Sequence, residues 1–240
     1  MDFSRLRFKY GCKLLKSPAG ARHAEHSMIY SADDEPGKPS PRLLACAVAA
    51  VQAAMEISLK DVSERISAPP LWPDVFPGEH YRLLAGLVKS LQPRSVIEIG
   101  TASGLSALAL MKFLPAGASL VTFDIAPWDQ SGETHLRSND FADGRLIQHV
   151  EDITVMEGLE KRRDLFEKAD LIFIDAAKDG HMEQRIIDNF STLKFVNYPI
   201  MVFDDTKVWN MLDVWRRIAR PKLDLSSFGH WSGTGIVDWQ

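Results

Sequence analysis

The chain has 240 residues, a length one large α/β domain can fill and enough to bury a sizeable core. Its 45% hydrophobic and 25% charged residues are those of an ordinary globular chain, and a net charge of -4 gives no reason to expect a polyanion, so nucleic acid is not the expected partner. Two cysteines, Cys12 and Cys46, exclude a disulfide framework, and no CxxC or Cys/His spacing suggests zinc, which points to a reducing, cytoplasmic setting.

In chain order, the start carries Arg5, Arg7, Lys9, Lys13 and Lys16 with no apolar core behind them, so it reads not as a signal peptide but as a basic arm, either solvated or touching a membrane surface or a phosphorylated substrate. A polar stretch follows over residues 31–40. The alanine-rich run 43–55 is shorter than the roughly 20 residues of a membrane span and contains Gln52, so it is expected to be a helix that is either buried or at an interface. Its small side chains would suit close pairing of two copies in a symmetric homodimer, or packing over a sheet. Consecutive prolines at Pro69 and Pro70 remove amide donors and disfavour helix before them, and we place a boundary there: an N-terminal appendage over 1–70 and a main domain over 71–240.

Beyond the prolines, short apolar runs alternate with helical periodicity. Strands are expected at 95–99, 119–124, 145–149, 171–175 and 200–203, with helices at 105–113, 182–193 and 208–218, the pattern of βαβ units. The runs 223–228 and 234–239 lack a helix between them and should form an antiparallel hairpin. The fold class is α/β, a Rossmann-like, doubly wound, mainly parallel seven-stranded sheet ending in that hairpin, with the helical appendage in front.

VIEIGTASGLSAL places Gly100 and Gly104 between a strand and a helix, where the backbone can turn sharply and helix amides face a ligand at the carboxyl edge of the sheet. At the end of the next strand, in LVTFDI, Asp124 stands where such folds put an acid on the hydroxyls of a ribose. The glycine pattern is ExGxxxG, without the GxGxxG spacing that brings backbone against a pyrophosphate. That argues against a nicotinamide dehydrogenase and for a nucleoside cofactor without phosphate, such as S-adenosylmethionine.

Further on, Asp175 in LIFIDAAKDGH and Asp204 and Asp205 in IMVFDDT end adjacent strands, a convergence of like charges that asks for a hard divalent cation: magnesium first, manganese or calcium next. A helix cap is the plainer role for the aspartate pair. In SFGHWSGTG, His230 and Trp231 either wall an acceptor site or pack the hairpin.

VIEIGTASGLSAL, VTFDI and LIFIDAAKDGH, in this order, resemble the metal-dependent O-methyltransferases of the catechol and caffeoyl-CoA type over roughly residues 77–205. The resemblance implies methyl transfer from S-adenosylmethionine to a hydroxyl of a small acceptor. It implies cofactor contacts for Glu98, Gly100, Thr101, Gly104, Ser106, Asp124, Asp152 and Asp175, with Asp152 near the adenine. It also implies metal ligation by Asp175, Asp204 and Asp205, and catalysis by Asp175 and by Lys178 as base. Glu79 to Tyr81, in PGEHYRLLAGLVK, would border the cofactor, and His181, where the family often has tyrosine, would be a base or a substrate contact, or else a structural histidine. Asp205 departs from the family, which has asparagine there. This keeps a metal-independent methyltransferase of a sugar, natural product or amine in view, together with a binding protein that has lost catalysis. The identity of the acceptor is not legible.

Overall fold

A computed structural model describes residues 32–67, 72–130, 132–208 and 210–240. The basic arm, Cys12, the two prolines of the expected boundary and Trp209 lie outside the described residues. Strands β1 (Ser95–Ile99), β2 (Ser119–Asp124), β3 (Leu146–Val150), β4 (Leu171–Ile174), β5 (Ile200–Asp204), β6 (Lys222–Asp224) and β7 (Thr234–Asp238) form one sheet in the order β3-β2-β1-β4-β5-β7-β6. The first five are parallel, and β7 runs antiparallel between β5 and β6. The hairpin thus enters the sheet with its second strand innermost, as the longer and fully buried β7 takes the place beside β5.

Strand periodicity sorts the core onto two faces. On one, Val96, Leu120, Phe173 and Val202 pack under helices α1 (Pro41–Glu56), α3 (Tyr81–Leu91) and α4 (Leu105–Met111), beside the short α2 (Lys60–Ser63). On the other, Ile97, Phe123, Ile172 and Phe203 meet α5 (Met156–Lys161), α6 (Arg163–Glu167), α7 (His181–Phe190) and α8 (Met211–Arg217).

The alanine-rich run is α1, and it belongs to the same core as the sheet. Ser40 caps it, accepting from the Leu43 amide at 3.0 Å, while its hydroxyl donates to Asp238 Oδ2 at 2.8 Å. Arg42 pairs with the other oxygen of Asp238, so both ends of the described chain are tied together. Helices α1 and α3 cross closely because Gly86 has no side chain: a Cβ there would stand 2.4 Å from the Ala50 carbonyl oxygen. The outer face of α1 leaves Leu44, Val48 and Met55 exposed. Cys46, on the inner face, is a free thiol that burial pushes up to about 11, outweighing the lowering effect of Arg42. Among the described residues no helix is long and apolar enough to cross a membrane.

At the sheet edge, Lys222 donates to the carbonyls of Trp215, Arg216 and Ile218 at 2.7, 2.9 and 2.8 Å, capping the end of α8 with a buried ammonium.

The crossing of α1 and α3 yields a direct check. Gly86→Ala forces a methyl group against backbone, and overpacking of this kind costs roughly 1–3 kcal/mol. A thermal melt of the variant should show Tm lowered by several degrees; an unchanged Tm would show that the two helices are not packed as described.

Candidate active site

The doubly wound sheet reverses its strand order between β1 and β4, and the crevice beyond their carboxyl ends is where open α/β sheets hold ligands. Here the crevice is a cleft of about 280 Å³ that opens against Gly100, Ala102, Asp124, Asp152, Asp175 and Met182. Gly100, at φ +97°, crosses the β4 end so tightly that a Cβ would lie 2.0 Å from the Asp175 carbonyl oxygen. Any side chain here would push the two strand ends apart. Gly104, at φ +80°, starts α4 with Leu136 where its Cβ would be.

Asp124 shapes the turn from the neighbouring strand. Its Oδ2 accepts from the amides of Thr101 and Ala102, both at 3.0 Å, and its Oδ1 from Ala126 at 3.2 Å. Such a carboxylate has room for further donors, since its two oxygens offer about four lone-pair sites. Asp152 borders the cleft with Oδ1 accepting from the amide and hydroxyl of Thr154 at 2.9 and 2.7 Å.

Of the cofactor residues expected from sequence, Gly100, Asp124, Asp152 and Asp175 line the cleft. Glu98, Thr101, Gly104 and Ser106 are buried behind it. Glu98 Oε2 accepts from Thr122 Oγ1 at 2.7 Å, which in turn meets Thr101 Oγ1 at 2.7 Å, and Gln148 donates to that oxygen at 3.0 Å. Glu98 Oε1 is buried without a hydrogen-bond partner. Burial pushes this carboxyl up to about 7, with the hydroxyls of Ser106 and Thr122 pulling the other way. Thr122 and Gln148 were not singled out in the sequence, although the in-register pairing of Glu98 with Thr122 follows once β1 and β2 are aligned.

Beside the cleft, Asp175, Asp204 and Asp205 each bring a carboxylate oxygen within 4.8 Å of the others. Lys178 lies among them, its Nζ at 3.0 Å from Asp175 Oδ1, 2.5 Å from Asp205 Oδ2 and 3.8 Å from Asp204 Oδ2. Lys178 and Asp205 both have left-handed backbones, at φ +64° and +56°, and two such residues without glycine's freedom store strain at one place. Glu183, buried in the first turn of α7, holds the Lys178 loop by accepting from the amides of Lys178 at 2.6 Å and Gly180 at 2.9 Å.

A lysine that serves as base near neutral pH needs a lowered pKa, and the electrostatics here act the other way. Partial burial does pull the Lys178 ammonium down, but Asp175 and Asp205 outweigh it and raise it above its ordinary value. Burial and the charge of Asp204 push Asp175 up. For Asp204, burial also acts upward, yet His80 and His230 prevail and hold its carboxyl well below the usual range.

Both histidines stand on the far side of Asp204. His80 Nδ1 is 3.1 Å and His230 Nδ1 3.7 Å from Asp204 Oδ1. Sequence reasoning left His230 between walling an acceptor site and packing the hairpin, and had His80 only within a segment bordering the cofactor, for 124 positions separate His80 from Asp204 and only the fold joins them. Trp231, 81% exposed, meets the His230 ring edge-on at 5.6 Å between centroids. His181 is not brought to the carboxylates: it is exposed at the start of α7, where it lines a separate hollow with Asp179, Gln184 and Asn210.

Fold and cleft together define an α/β domain with a cleft at the carboxyl edge of a doubly wound sheet and an acidic cluster at its side. A family model described as O-methyltransferase matches residues 51–212, more than half of the chain, and the chain belongs to that family. Among solved structures the fold resembles a methyltransferase of Podospora anserina determined with SAH bound, at 18% identity and a TM-score of 0.53, covering 87% of this chain and 92% of that one. An O-methyltransferase from Bacillus cereus in complex with SAH is similar at 17% identity and a TM-score of 0.48, covering 97% and 96%. No curated protein matches the chain.

The raised pKa of Glu98 makes a prediction about pH. The folded state keeps the Glu98 proton up to about pH 7, whereas the unfolded chain releases it near its ordinary value of about 4.3. This group's contribution therefore favours folding most at low pH and weakens as pH rises between those values, by up to roughly 4 kcal/mol. Melts of wild type and Glu98→Gln from pH 4.5 to 7.5 should converge at low pH and diverge upward, the variant gaining. Parallel curves would show that the carboxyl is not perturbed.

Proposed function

We propose that this O-methyltransferase transfers a methyl group from S-adenosylmethionine to a hydroxyl of a small-molecule acceptor, assisted by a divalent cation at the acidic cluster. The observation that carries the reading is the cleft itself: a glycine turn, a strand-end acid and an acidic edge lie together at the switch point of a family member's sheet. The likeness to a Podospora anserina methyltransferase with SAH bound supports the choice of cofactor.

In this reading Gly100 and Ala102 lie under the methionine part, Asp124 accepts from the ribose hydroxyls on its remaining lone pairs, and Asp152 borders the adenine. Glu98, Thr101, Gly104 and Ser106 hold the turn from behind. S-adenosylmethionine supplies the electrophilic methyl group, and a cation would supply a Lewis acid. Asp175, Asp204 and Asp205 offer the hard oxygen donors that magnesium, manganese or calcium takes, and the conflict among three converging carboxylates fits such an ion.

Lys178 is the proposed base for the acceptor proton. Its neighbours keep it protonated as it stands, so it can accept the acceptor's proton only after its contacts with Asp175 and Asp205 loosen and it releases its own proton to solvent. Trp231 and His230 stand where they can border the acceptor. A second reading is favoured by one observation: the Lys178 ammonium already lies within 4 Å of all three carboxylates and offsets part of their charge, as a metal-independent methyltransferase would need. Homodimerisation through the exposed face of α1 and a reducing cytoplasmic setting complete the proposal, and light scattering checks the former.

Calorimetric titration with S-adenosylhomocysteine should show binding to wild type and clearly weaker binding to Asp124→Ala. Repeating it and the turnover assay with excess chelator separates the readings: lost turnover supports cation assistance, and unchanged turnover supports the metal-independent reaction. Absence of binding to folded wild type would remove the cofactor assignment.

For Lys178 the informative pair is Lys178→Ala and Lys178→Arg. A base contributes on the order of 10²–10⁴-fold, and arginine cannot give up its proton near neutral pH. Both variants should therefore lose that much kcat. Recovery of most of the rate in Lys178→Arg would reduce the lysine to a positive charge.

A further inference from the structure

Asp204 has two different sides. Its Oδ2 faces the Lys178 ammonium at 3.8 Å, whereas its Oδ1 is buried without a hydrogen-bond partner and faces two imidazoles. Of these, His80 is 3% exposed and neither ring nitrogen makes a hydrogen bond, a costly state for a buried polar ring. Its Nδ1 stands 3.1 Å from Asp204 Oδ1, near enough for an ion pair but not in hydrogen-bonding geometry. His230 Nδ1 lies 3.7 Å from the same oxygen and 3.4 Å from Asp205 Oδ1.

From these separations we infer a nitrogen-containing metal centre on the inner side of Asp204, formed by His80, His230 and Asp204 with Asp205 at its edge, that takes a transition-metal dication in preference to magnesium. Ligand atoms that share an ion at about 2.1 Å stand about 3.0–3.4 Å apart. The distances of 3.1, 3.4 and 3.7 Å fall at or just outside that range. An ion shared by His80 and Asp204 lies off the line joining their atoms, so the failed hydrogen bond is no obstacle to it.

The surroundings suit a liganding imidazole. His230 Nε2 faces Glu79 Oε1 at 3.8 Å, a carboxylate placed to orient the ring. His230 Nδ1 now shares a hydrogen bond with Ser232 Oγ at 2.7 Å, and the same hydroxyl donates to Asp205. On binding, that hydroxyl keeps Asp205 as its partner. Phe173 lies against His80 at 5.2 Å between ring centroids and gives the site an apolar wall.

Imidazole suits zinc, copper, iron or nickel, whereas magnesium, calcium and manganese are served by oxygen donors. The lysine occupies the oxygen-only side of Asp204, and the imidazole side holds the unpartnered atoms. The inference does not depend on whether Asp175, Asp204 and Asp205 also take a hard cation.

The test uses the full chain freed of metal by chelator and cobalt(II) as probe, read by its visible ligand-field absorption and by calorimetry. Wild type should bind cobalt tightly, with imidazole-type bands that zinc erases and millimolar magnesium leaves in place. His230→Gln should weaken cobalt by roughly 100-fold or more, since a direct ligand is worth at least what an outer-shell partner is. His80→Gln should do the same; being buried, it is read only if its circular dichroism matches wild type, and the half-buried His230 keeps the test sound otherwise. Wild type without such bands, or cobalt binding equally strong in His230→Gln, overturns the centre. A parallel S-adenosylhomocysteine titration of His230→Gln keeps the two proposals apart, because retained cofactor binding with lost cobalt touches only the metal centre.

Discussion

The approach of Gly100 to the carbonyl of Asp175 is the constraint on which the site depends. Parallel pairing of β1 with β4 brings their carboxyl ends side by side, and the chain leaves β1 through a left-handed backbone that only a residue without Cβ accommodates at this distance. Once that contact is made, the Asp175 amide bonds to Ile99 at 2.9 Å and its side chain is fixed at the mouth of the cleft. The same turn places the amides of Thr101 and Ala102 within reach of Asp124. One close crossing of backbone therefore sets both the nucleoside side and the acidic side of the site.

Charge balance governs the acidic side. Three carboxylates at the end of two strands would repel strongly in a partly buried setting, and the fold answers with an ammonium on one flank and two imidazoles on the other. Lys178 enters from the loop after β4, while His80 and His230 come from the start of α3 and the β6–β7 link. The elements that carry these groups are otherwise unrelated, so the carboxylate cluster is a point at which the helical layer, the sheet edge and the C-terminal hairpin are held to one another. It also explains why the hairpin inserts β7 against β5: that pairing opposes Asp204 to Thr234 and brings Ser232 and His230 over the cluster.

Much of this was legible in the sequence because buried parallel strands leave short apolar runs with abrupt polar ends. The runs at 95–99 and 119–124 coincide with β1 and β2, and the run at 145–149 is displaced by one residue from β3, where the exposed Ile147 and Val150 weaken the pattern. The helix expected at 105–113 closes earlier, at Met111, and the one at 208–218 begins later, at Met211, because turns at both ends copy helical spacing. The glycine turn, Asp124 and the carboxylates were legible because each follows a strand directly, and strand ends converge in a doubly wound sheet. The order of the hairpin strands was not legible, since inward and outward placement of two short strands satisfies the same alternation.

His80 marks the limit of such reading. Nothing in the spacing of its neighbours suggests a ligand, and the search for Cys/His clusters along the chain is blind to residues gathered from α3, β5 and the β6–β7 link. What identifies it is a property of the fold: a ring at the start of a helix, buried against Phe173, with both nitrogens unpartnered and a buried carboxylate oxygen beside it. Burying such a ring without hydrogen bonds is expensive, and the helix face next to it is otherwise apolar, so packing alone would be served better by leucine. The proposed metal centre accounts for the ring by giving its nitrogen a partner. Asp204 Oδ1 stands 3.1 Å from the ring's Nδ1 without hydrogen-bonding geometry, and an ion off the line between them would serve both atoms.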